Sequence, residues 1–199
     1  MDLLNSELSP KLDIQNAADN TVSDEQAKWF VMRAYKCESK AEERLSDEEG
    51  IKYFIPKHYA VRVYHGVKSK RLVPVIPSLV FVRSNRKRLS KFKKENNFIQ
   101  YVMQRTSNGS ECMIVPDNQM DNFIKVASRP EENLRYFSPE EIDVRKGTPV
   151  RIIGGIFDGV EGVFMRTEGV RDKRVVVLLK GVLAVSAKVH PDLIEVLPQ

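Results

Sequence analysis

The stretch GTPVRIIGGIFDGVEGVF, residues 147–164, holds five of the chain's ten glycines within a strand-like alternation of apolar and polar positions. Glycines crowd in this way in a phosphate-cradling loop, in a flexible linker, or in the tight turns of a small barrel. A phosphate loop needs G-x-x-x-x-G-K-S/T, and no lysine follows these glycines in that register. The dinucleotide pattern G-x-G-x-x-G also fails, because Gly154 and Gly155 are adjacent and Gly159 and Gly162 stand apart. A flexible linker would not carry Val150, Ile152, Ile153, Ile156, Val160, Val163 and Phe164. Strand, turn, strand remains. Gly154, Gly155 and Gly159 are placed to accept positive φ, and Gly162 lets the second strand bend or lie close to a neighbour.

Further along, 150–153, 160–165, 174–179, 183–189 and 194–197 read as five short strands, which predicts a small SH3-like β-barrel over 146–199. Upstream, 28–35 is rich in aromatic and branched residues and reads as a strand. A helix is expected over 38–49, with Cys37, Ala41 and Leu45 on one stripe and Gly50 as its stop. Alternation over 53–64, a His65-Gly66 turn and a return strand over 67–75 form a hairpin. Leu79 to Val82 is a continuous apolar run suited to a buried strand. Asn85 caps a basic helix reaching Asn96, strands follow near 99–104 and 112–115, and Pro116-Asp117 opens a helix with Met120, Phe123, Ile124 and Ala127 on one stripe. This central unit, 28–129, is an α+β sandwich. Residues 130–145, with two prolines, an acidic bias and no strong strand, read as a linker, and 1–27 as a mobile acidic extension.

The charge follows the same boundaries. Residues 1–27 carry one Lys and six acids, 28–129 carry 21 Lys+Arg against 10 Asp+Glu, 130–145 two against five, and 146–199 eight against six. These give −5, +11, −3 and +2, which sum to the net +5. The positive charge thus belongs to the central unit and points to a polyanionic partner. At 42% hydrophobic and 30% charged, the chain reads as soluble and globular. No apolar run is long enough to span a bilayer and no signal peptide is expected. Two distant cysteines exclude a disulfide framework, and three scattered histidines give no zinc spacing. The expectation is a cytoplasmic, reduced protein without metal or cofactor. No G-x-S-x-G or acid–base pair supports an enzyme.

The segment KGTPVRIIGGIFDGVEGVF resembles a KOW motif, and the central unit resembles the NusG N-terminal domain. RLVPVIPSLVFVRS, residues 71–84, is similar to that family's stretch in which an apolar residue and Pro precede a strand, and KWFVMRAYKCESKAEERL is similar to its first strand and helix. The two matches cover about 28–197 in the family's order. The acidic extension, the basic helix and the tail KGVLAVSAKVHPDLIEVL lean towards the specialised NusG paralogues, RfaH, LoaP and above all the UpxY antiterminators of capsular polysaccharide operons. This chain has Leu79 where the family commonly has Tyr, and Leu179-Lys180-Gly181-Val182 where housekeeping NusG has Ile-Phe-Gly-Arg.

The resemblance implies a transcription elongation and antitermination factor. Ile76, Leu79 and Phe81, with Tyr35 beside them, match the apolar patch that holds the clamp helices of the large RNA polymerase subunit. Alternation alone leaves each of these, with Trp29 and Phe30, open to being core instead. In RSNRKRLSKFKK, residues 83–94, seven positive side chains stand without an acid. Arg86, Lys87, Arg88, Lys91, Lys93 and Lys94 are candidates to neutralise phosphates, while Leu89 and Phe92 anchor the helix. A merely solvated face would mix signs. The resemblance places this helix near the non-template DNA strand and gives the barrel a ribosomal protein of NusE type as partner. His58 and His65 read as surface residues and Cys37 as packed. Two alternatives stay open, a translation-associated RNA-binding KOW protein and a housekeeping NusG-like factor.

Overall fold

The computed structural model describes residues 27–198 except 36, 108, 131 and 167–172; the acidic extension lies outside the described residues but for its last one. Strands β1 (Lys28–Ala34), β2 (Lys52–Phe54) and β5 (Leu79–Ser84) join β6 (Ile99–Tyr101) in the order β2-β5-β1-β6, and β9 (Ile114–Val115) also pairs with β1. Every pairing is antiparallel, with Val31 opposite Phe81 and Arg33 opposite Leu79. Period-two alternation sends Phe30, Met32, Val80 and Val82 to one face, where they pack with Ala41 and Leu45 of α1 (Glu38–Ser46) and Leu89 and Phe92 of α2 (Arg86–Glu95). Trp29, Val31, Leu79 and Phe81 go to the other face, towards Met120, Phe123, Val126 and Ala127 of α3 (Asp117–Ala127). Both faces of β1 and β5 are thus covered, which is why these segments are almost continuously apolar.

The expected 53–64 strand is divided. Ile55-Pro56 separates β2 from β3 (Lys57–Tyr64), since a proline cannot donate to the ladder. Among the described residues β3 pairs only with β4 (Val67–Pro74), around the His65-Gly66 turn whose two residues both have positive φ. The strand expected at 99–104 also divides, into β6 and β7 (Met103–Thr106), and β7 forms a separate hairpin with β8 (Gly109–Cys112). Helix α1 ends at Ser46, one turn short of Gly50.

The five strands expected downstream are all present: β11 (Thr148–Ile152), β12 (Glu161–Arg166), β13 (Lys173–Leu179), β14 (Leu183–Ala187) and β15 (Ile194–Val196). A sixth, β10 (Arg135–Phe137), comes from the stretch read as a linker without a strand and pairs with β14. Their antiparallel order is β10-β14-β13-β12-β11-β15. Buried Arg174 secures the junction, donating to the Ser186 hydroxyl at 2.9 Å and to the backbone carbonyls of Ser186 and Asn133. The opening glycines do what their positions require. Gly154, Gly155 and Gly159 have φ of 88°, 73° and 76°, and the Asp158 carboxylate accepts from the Gly154 N–H at the turn. A Cβ on Gly162 would lie 2.6 Å from the Val176 carbonyl oxygen, so β12 approaches β13 as only glycine allows.

The two sheets are not independent. Val150, Ile152, Val175, Val177, Leu183 and Val185 of the second share one buried apolar cluster with Leu79, Phe81, Met120 and Phe123 of the first, and α3 packs on β13 and β14.

Candidate functional site

Of the four residues assigned to the apolar patch, Phe81 is fully buried, with its ring 6.0 Å from that of Phe123 on α3. Leu79 is 5% exposed in the same cluster. Ile76 is half-buried on its margin, and Tyr35 stands 58% exposed at the end of β1. Leu79 and Phe81 therefore share a face with Ile76 at its edge, whereas Tyr35 lies apart from that buried cluster. The short Ile76-Pro77-Ser78 connection is fixed: Ser78 has φ of 68°, its N–H donates to the Glu38 carboxylate, and its carbonyl accepts from the Ala34 N–H. A strained non-glycine residue over a carboxylate tether holds Ile76 at the entrance to β5.

Polar groups rim the contact between α3 and the second sheet. Asn122 accepts from the Glu161 N–H at 3.0 Å, Gln119 accepts from the Lys180 N–H at 3.4 Å, and Lys125 donates to the Asp158 carbonyl. These three side chains carry no distinguishing mark in the sequence, since at helical spacing they read as solvated positions opposite the Met120–Phe123 stripe.

Helix α2 is anchored as expected: Asn85 accepts from the Arg88 N–H at 2.8 Å as the cap, and Leu89 and Phe92 are buried. Its six candidate cations divide into three groups. Lys87, Lys91 and Lys94, at i, i+4 and i+7, are exposed, and among the described residues none forms an ion pair. Arg86 and Lys93 flank the Tyr101 ring at 6.0 and 5.7 Å, and Lys93 also donates to Gln100. Arg88 lies over Gly50, its guanidinium filling the space a side chain there would need. Tyr101, whose hydroxyl is 3.5 Å from that of Ser90, is a component the sequence does not reveal; only the fold brings β6 under α2. The lysine stripe is thus the part of the helix best presented to phosphates.

His58 and His65 are exposed and Cys37 is half-buried, as expected. Among the described residues no group of three or more His, Cys, Asp or Glu side chains is placed to hold a metal, and no helix is long and apolar enough to cross a membrane. In the second sheet, burial pushes the Tyr136 phenol far above its ordinary range, and its hydroxyl is buried without a hydrogen-bond partner.

The first sheet is thus a four-stranded antiparallel path with two helices on one face and one on the other, followed in the chain by a second antiparallel sheet, and of its helices α2 carries six cations against one acid, Glu95. Residues 27–124 match the family model described as NusG, transcription termination factor nusG. Over this segment, just under half of the chain, the protein is similar to the NusG family. No curated protein matches the chain.

Proposed function

We propose that this protein binds RNA polymerase and suppresses pausing and termination at a restricted set of operons, such as capsular polysaccharide loci. The observation that carries the reading is that the NusG-family match ends within α3 and contains both the Ile76–Leu79 region and the cationic helix. The mechanism is binding without bond chemistry. The central unit would bridge the two sides of the polymerase cleft through the apolar face and hold the clamp closed. Lys87, Lys91 and Lys94 would add affinity for the exposed non-template strand. The second sheet is read as a KOW barrel that recruits a further partner, with a ribosomal protein of NusE type as the family's example.

That sheet also shares the cluster containing Leu79. Clamp helices reaching this face would have to displace it, so the described arrangement is the closed, less competent state on this reading. The test is transcription in vitro through a terminator in the native 5′ leader, with and without the protein. Increased read-through supports the reading, and equal termination in both reactions would overturn it.

A further inference from the structure

From Gly50 to Lys94 the chain contains thirteen Lys or Arg and no acid, and α2 accounts for only six of them. Four others, Arg62, Lys68, Lys70 and Arg71, stand exposed on the β3–β4 hairpin. That hairpin is an eight-residue ribbon, about 26 Å long at the usual strand rise, and among the described residues it pairs with no other strand. Alternation divides it into two faces. One carries Tyr59, Val61 and Val63 opposite Leu72, Lys70 and Lys68; the other carries Ala60 and Arg62 opposite Arg71 and Ser69. Val61, Val63 and Val67 are 64, 63 and 68% exposed. Three exposed valines among cations, with no acid on the ribbon itself, are not what solubility alone requires.

We propose that this ribbon is a binding element for double-stranded DNA that enters the major groove. A two-stranded β-ribbon matches the width of that groove, cations on both faces meet the two phosphate walls, and exposed valines offer apolar contact to thymine methyl groups. The charge selects a polyanion over a protein partner. Stacking on single strands is disfavoured, because the Tyr59 ring is already capped by Lys70 at 4.2 Å. A-form RNA is disfavoured too, since its major groove is too deep and narrow to admit the ribbon. Duplex binding by the ribbon requires no feature of the polymerase reading and stands without it.

The test is fluorescence anisotropy of the full chain with a duplex DNA, an RNA duplex of the same sequence and a single-stranded DNA, across a salt series without polymerase. Wild type should prefer the DNA duplex to the RNA duplex by at least about fivefold, in line with the groove dimensions. Arg62→Gln/Lys68→Gln/Arg71→Gln should bind duplex DNA at least about tenfold more weakly. Its log K against log salt should be shallower by about 0.9 for each phosphate left unneutralised. Single-strand affinity should hold, since α2 is intact, and thermal melting should not change, since all three side chains are exposed. Unchanged duplex affinity and slope, equal or tighter RNA-duplex binding, an equal loss on single strands, or no duplex binding by wild type would each overturn the proposal.

Discussion

Phe81 and Ile76, five residues apart, match one patch in the sequence yet occupy different physical situations. A carboxylate at fully buried Phe81, against the Phe123 ring, would be an unpaired buried charge. Phe81→Glu should destabilise the domain by more than about 4 kcal/mol, visible as a large fall in melting temperature. Half-buried Ile76 lets a carboxylate reach water. Ile76→Glu should melt close to wild type while losing about 2 kcal/mol of polymerase affinity, roughly thirtyfold. Normal melting with normal polymerase binding would remove Ile76 from the site. Tyr136 gives an independent check on the second sheet. Its hydroxyl is buried without a partner, so Tyr136→Phe should leave stability unchanged or raise it by up to about 1 kcal/mol in denaturant unfolding. A clear loss would mean that the hydroxyl is hydrogen-bonded after all.

Helix α2 shows how a run of like charge resolves into parts once an element is placed. Lys87→Gln/Lys91→Gln/Lys94→Gln should weaken single-stranded DNA binding, and its salt slope should fall by about 0.7 for each phosphate left unneutralised. Arg86→Gln/Lys93→Gln should have a smaller effect, because those cations are already engaged around Tyr101. An unchanged slope in the triple variant would return the stripe to a solvated face. The helix, its Asn85 cap and its Leu89–Phe92 anchor are legible in the sequence because cap chemistry and 3.6-residue spacing are local. The division of the cations is not, because Tyr101 and Gly50 reach α2 only through the sheet. Strand β10 escapes for a related reason. Arg135-Tyr136-Phe137 is too short for alternation to register, and it becomes a strand because the β14 edge and the Arg174 guanidinium hold it.

For the whole molecule, the strands and helices other than β10 are written in apolar period and turn residues, whereas the apolar cluster that the two sheets share is not. Leu79, Val177 and Val185 are the same residue types whether they pack within a unit or between units, so periodicity marks them only as buried. The polar rim of Gln119, Asn122 and Lys125 supplies the handle. Gln119→Ala/Asn122→Ala/Lys125→Ala removes three hydrogen bonds from α3 to the second sheet, each worth on the order of 0.5–1 kcal/mol. Weakening by about 1.5 kcal/mol or more would raise the open fraction by roughly tenfold or more while opening is rare. The direct measurement is the affinity of the purified full chain for RNA polymerase, wild type against this triple variant. Wild type should bind and the variant should bind roughly tenfold more tightly, with the gain abolished by Ile76→Glu. Absence of binding by both proteins would contradict the proposed function, and equal binding by both would contradict the closed state.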